Sequence, residues 1–148
     1  MSPHTTSSPR LLEAASPERW HWIELPAHRS NVSVARRSMN ARMNAWRLPA
    51  ETSADMVLLV SELVTNAVCH TPGAHVLCGI GLIADDCLRV EVHDHDRAVG
   101  GLPRCEPGPD DESGRGLLLV REIAHTWGVD RSRLTGGNAV WATLIVND

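Results

Sequence analysis

The stretch LVSELVTNAVCHT, Leu59 to Thr71, constrains the fold more than any other part of the chain. Its apolar residues recur as they do in a helix buried around most of its circumference, yet Glu62 and Asn66 sit among Leu, Val and Ala. Four residues advance a helix by about 400°, so the two polar side chains lie roughly 40° apart, one turn above each other. A carboxylate in such company is costly unless it is partnered or faces a polar cavity. Two readings follow. The pair is either a solvent-facing stripe or the polar wall of a ligand site. In a site, Asn would offer a neutral oxygen suited to Mg²⁺, and Glu would offer a base or water-orienting group.

The rest of the chain supplies partners for such a helix. WHWIEL, Trp20 to Leu25, alternates apolar and polar residues and predicts a strand ended by Pro26. Asn31 is placed to cap a helix on which Ala35, Met39, Met43 and Trp46 share one face. Leu48-Pro49 breaks it, and Thr52 or Ser53 opens the helix of the quoted stretch, which stops before Thr71-Pro72-Gly73. HVLCGIGLI and CLRVEVHD, joined at Ala84-Asp85-Asp86, read as an antiparallel hairpin. A long Gly-, Pro- and charge-rich loop follows from Asp94 to Gly114. The helical spacing of Leu117, Val120, Ile123, Ala124 and Trp127 predicts a helix beginning after it, and a turn at Thr135 to Asn138 leads into a last strand, AVWATLIV. The fold class is therefore α+β: a two-layer sandwich with a mixed, mostly antiparallel sheet and helices on one face.

With 148 residues, 43% of them hydrophobic, the chain fits one domain with a core. Residues 1–18, rich in Ser, Pro and Thr, read as a flexible leader before a domain of 19–148. A net charge of −4 argues against direct nucleic-acid binding. All 14 basic residues are Arg, which excludes chemistry that needs a lysine, such as a P-loop or a Schiff base. Four widely spaced cysteines without a C-x-x-C pair suggest buried free thiols in a reducing interior. The N-terminus has no apolar signal region and no run approaches 18 apolar residues, so a cytoplasmic protein away from membranes is expected.

Two further segments carry chemistry. In VEVHDHD, Val90, Val92 and Asp94 share a strand face, placing Asp94 where strand gives way to loop. An aspartate there can accept a hydrogen bond from an exocyclic amine such as that of adenine. A zinc site built from His93, Asp94, His95 and Asp96, or a plain polar turn, are the other readings. In ESGRGLLLV, Gly114 and Gly116 let the backbone approach a ligand at a helix start, where exposed N–H groups bind phosphate oxygens.

Taken in order, these segments resemble the GHKL ATPase superfamily, and more narrowly the serine-protein kinases that act as anti-sigma factors. The residues carrying the resemblance are E-L-V-T-N (Glu62 to Asn66), V-x-D (Val92 to Asp94), G-R-G-L (Gly114 to Leu117) and V-W-A (Val140 to Ala142), and it extends over about Trp20 to Val146. The resemblance implies a histidine-kinase-type ATP-binding fold with ATP and Mg²⁺ as cofactors. By it, Asn66 would hold the metal, Glu62 would be the catalytic base, and Asp94 would read the adenine amino group. Gly114, Arg115, Gly116 and Leu117 would form the phosphate-binding segment beside a lid of 97–113. Thr143 would sit near the adenine edge, and Arg97, Arg104 or Arg115 would steady the γ-phosphate. The implied function is an ATP- and Mg-dependent serine/threonine protein kinase, an anti-sigma factor-like regulator that phosphorylates a small antagonist protein. Its partners would be that antagonist and/or a sigma factor, with a homodimer as a further option. Two departures from the family pattern stand out. Asp96 and Ala98 replace the glycines of the D-x-G-x-G box, and Gly137-Asn138 stands where Gly is often followed by Thr or Lys. They motivate an alternative function, a catalytically weak or inactive nucleotide-dependent protein-interaction module.

Overall fold

The computed structural model describes residues 19–70, 74–96 and 119–147. The expected leader of 1–18, lid of 97–113 and phosphate-binding segment of 114–117 lie outside these residues. Seven elements follow in the order β1 (Trp20–Pro26), α1 (Asn31–Ala45), α2 (Ala50–His70), β2 (His75–Ala84), β3 (Cys87–His93), β4 (Thr126–Arg131) and β5 (Asn138–Ile145). The strands form a five-stranded sheet of order β1-β2-β3-β5-β4. Each neighbouring pair among the described residues is antiparallel. The two helices pack on each other and on one face of this sheet, giving the two-layer α+β fold expected from the sequence.

The alternation of β3 separates the layers. Leu88, Val90 and Val92 join Met39 and Met43 of α1 and Met56, Leu59, Leu63 and Val64 of α2 in one core cluster. α2 is long and apolar enough to cross a membrane by length and composition alone. Here its apolar stripe is the upper layer of that core.

The intervening residues of β3, Arg89, Glu91 and His93, point to the other face and are fully buried there. Indole rings cover much of that face. Trp20 lies opposite Gly81 and Trp22 opposite Gly79, and a Cβ on either glycine would collide with the ring. The two indoles stack at 5.6 Å between centroids. Across the sheet, the Arg89 guanidinium sits 4.4 Å from the centre of the Trp141 ring, whose Nε1 donates to Asp130 Oδ2 at 3.1 Å.

Four local expectations need correction. Asn31 is the first residue of α1 rather than its cap; Ser30 occupies the cap position, and the Asn31 amide donates to the Pro26 carbonyl at 2.8 Å. α2 begins at Ala50, so Thr52 and Ser53 lie buried inside its first turn. The helix expected to run through Trp127 ends sooner: residues 119–123 are helical, and Trp127 belongs to strand β4, opposite Ala142. Ile123, Ala124 and Trp127 all pack against the core, so their apolar spacing satisfies a helix end and an edge strand equally well. Finally, Cys69 is disulfide-bonded, while Cys78 and Cys87 are free. A disulfide requires its Cα atoms to lie about 4.4–6.8 Å apart, a condition set by the fold rather than by sequence spacing.

Candidate functional site

α2 presents Glu62, Asn66 and His70 at intervals of four, so all three lie along one side of the helix. Glu62 is half-buried. Asn66 is only 7% exposed, and its side chain makes no hydrogen bond to any described residue. One turn further on, His70 Nε2 forms an ion pair with the Asp96 carboxylate. Asp96 is the third residue after β3, so the pair ties the end of α2 to the end of that strand. Asn66 thereby sits about 6 Å along the helix axis from the segment that carries Asp94.

Asp94 is held tightly. It is 2% exposed. Its Oδ1 accepts the backbone N–H groups of Asp96 at 2.9 Å and of Asn138 at 3.0 Å. Its own N–H donates to the Asn138 carbonyl at 2.9 Å, and its carbonyl accepts the Thr135 hydroxyl. A side chain at position 137 would run into the Asp94 carbonyl, so the turn can close over Asp94 only with glycine there. No described residue donates to Oδ2. That oxygen is left as an acceptor in a site nearly closed to water.

The structure thus brings Asn66 and Asp94 to one end of the sandwich, with Glu62 two turns from His70 on the same helix side. Thr143 is not part of this group. It lies five residues along β5 from Asn138, roughly 16 Å away, paired with Arg89 on the face turned from the helices. Its hydroxyl is bonded to Thr126 Oγ1 at 2.6 Å. Gly114, Arg115, Gly116 and Leu117 lie outside the described residues. The zinc reading finds no support in the arrangement of His93. Both of its ring nitrogens are engaged, by Ser132 and Glu91, on the opposite face of the sheet. Among the described residues no group of three or more His, Cys, Asp or Glu side chains could hold a metal ion.

His70, Thr135 and Asn138 bond to the segment of Asp94 to Asp96, a role the sequence alone did not give them. The signal for Asn138 was its place at the start of the last strand, directly after Gly137. His70 continued the polar stripe of Glu62 and Asn66 by one more turn.

Residues 25–144 match the profile of the histidine kinase-like ATPase domain. The chain belongs to the histidine kinase-like ATPase family. No curated protein matches it in sequence. Among solved structures, this ATPase-family chain is similar to the RsbU and RsbW domains of Rv1364c from Mycobacterium tuberculosis, with a TM-score of 0.64 and 19% identity. The match covers 91% of this chain and 34% of that one, so the chain spans about a third of the other's length. At this identity the likeness is one of fold. ATP binding is the property that membership of an ATPase family carries, and the described residues fit it. Asp94 Oδ2 accepts from no described residue, and the Asn66 amide bonds to none.

Proposed function

We propose that this histidine kinase-like ATPase is an ATP- and Mg²⁺-dependent serine/threonine protein kinase that phosphorylates a small antagonist protein and acts as an anti-sigma factor-like regulator. One observation carries the reading. The nearly enclosed Asn66 and the half-buried Glu62 share a side of α2, at the end of the sandwich where Asp94 Oδ2 accepts from no described residue. In this reading Asp94 binds the adenine amine and Asn66 holds the metal. When bound, ATP with Mg²⁺ supplies the phosphoryl group. Glu62 takes the proton from the acceptor hydroxyl as its oxygen attacks. Protein–nucleotide contacts to the phosphates fall to Gly114, Arg115, Gly116 and Leu117.

A groove on the helical layer supports a protein acceptor. It encloses about 700 Å³ between α1 and α2, lined by Ser33, Arg36, Arg37, Asn40, Ala54, Val57 and Leu58. Leu58 is 43% exposed, and among the described residues neither arginine has a carboxylate partner. An apolar floor with a cationic rim suits an acidic, amphipathic segment of a partner such as the antagonist or a sigma factor.

The test is phosphotransfer from labelled ATP to the cognate antagonist. The wild type should label a serine or threonine, and Glu62→Gln should lose at least about a hundredfold in rate while still binding ATP. Binding without transfer in the wild type would favour the second reading, a nucleotide-dependent interaction module. Asp96, which replaces a glycine of the family box and is engaged by His70, is the observation in that reading's favour.

A further inference from the structure

The hydrogen bonds around Asp94 do not end at its immediate neighbours. Ser132 Oγ accepts the backbone N–H groups of Leu134 at 3.1 Å and Thr135 at 3.0 Å, which uses its lone pairs. Its hydroxyl proton therefore goes to His93 Nδ1, 2.7 Å away. That fixes the ring as the tautomer protonated on Nε2, which donates to Glu91 Oε1 at 2.9 Å. The other oxygen of Glu91 accepts from Arg89 Nε at 2.8 Å. Every side chain in this sequence is 1% exposed or less. No water is at hand to replace a missing member, so each bond holds the next in place.

At its other end the network sets the turn of residues 132–137. Ser132 N–H donates to the Gly137 carbonyl at 2.8 Å, and Gly136 N–H to the Ser132 carbonyl at 2.9 Å. Thr135 Oγ1 accepts from Gly137 N–H at 3.0 Å and donates to the Asp94 carbonyl. The turn then delivers Asn138, which grips Asp94 through both its N–H and its carbonyl. Three of the bonds that orient Asp94 thus come from this one turn.

We propose that Ser132 and Thr135 are positioning residues for base recognition: they hold the Asp94 carboxylate with Oδ1 occupied and Oδ2 free, so that the site selects a purine bearing an exocyclic amine. The inference rests on the reading of this site as an ATP site. Neither residue touches the nucleotide. They act by fixing which oxygen of Asp94 is available and where it points. A carboxylate allowed to rotate would present either oxygen and would discriminate less between an amine and a carbonyl on the base.

The experiment compares ATP with inosine triphosphate, which has the same sugar and phosphates but a carbonyl in place of the amine, by calorimetric titration of the full chain. The wild type should prefer ATP by about tenfold or more. Ser132→Ala and Thr135→Val should bring that ratio close to one while leaving affinity for inosine triphosphate unchanged, and Thr135→Ser should restore the preference. A merely structural role would weaken both nucleotides by the same factor, and that result, or a wild-type ratio in both variants, overturns the proposal. Should Ser132→Ala fail to fold, the half-exposed Thr135 pair decides alone. A wild type that binds neither nucleotide would refute the ATP reading itself, and it would be seen before any variant is made.

Discussion

Asn66 carries two demands that ordinarily conflict. The residue is nearly enclosed, yet its side chain makes no hydrogen bond to a described residue, so it adds little to holding the fold. Ala fits a helix better than Asn by up to about 0.7 kcal/mol. Asn66→Ala is therefore expected to leave stability unchanged or raise it by about 1 kcal/mol, while ATP affinity measured with Mg²⁺ falls at least about tenfold. Thermal unfolding and calorimetry on the same sample check both halves. A drop in stability would mean that Asn66 is a structural residue. Asp96 shows how a departure from the family pattern is accommodated at this scale. A carboxylate placed where the box has glycine would add negative charge beside a triphosphate, but here it is paired with His70.

At the scale of elements, β1 and α1 are joined by His21 Nε2 and Ser38 Oγ, 2.7 Å apart. Burial, and then the nearby positive charge of Arg42, hold the His21 pKa below its ordinary 6.5. The fold thus prefers the neutral ring. Its contribution to stability is complete above about pH 6.5 and is lost as pH falls through the lowered value. His21→Gln should flatten the decline of Tm between about pH 7 and 5; identical pH profiles would contradict this. Elements of this kind were legible in the sequence where one pattern had one solution. The alternation of Val90, Val92 and Asp94 marked the strand and its end, and the apolar wheel of α2 marked the core helix. β4 was not legible, because Ile123, Ala124 and Trp127 serve a helix or a strand equally. Nor was the grip on Asp94, since Asn138 lies 44 residues away and only sheet register brings the two together. Thr143 was implied by the family resemblance, and only sheet register shows that it pairs with Arg89 on the face turned from the helices.

For the whole molecule, the sandwich assigns its surfaces to different tasks. The proposed nucleotide end lies where α2 meets the end of β3, and the groove between α1 and α2 is built from other residues. Partner binding and nucleotide binding should therefore be separable. Leu58→Asp combined with Arg36→Glu is expected to weaken capture of the proposed antagonist by at least tenfold, about 1.4 kcal/mol, and to leave ATP affinity within twofold. Surface plasmon resonance beside calorimetry would measure the two. Loss of ATP binding in the double variant would show that the surfaces are not independent.

The indoles over the far face have an optical consequence. The chain has five Trp and neither Tyr nor Phe, so indole dominates its near-ultraviolet absorption. Two transition dipoles stacked at 5.6 Å on Trp20 and Trp22 should couple as an exciton pair. The resulting circular-dichroism couplet would serve as a built-in gauge of whether the first two strands are zipped, with no label attached.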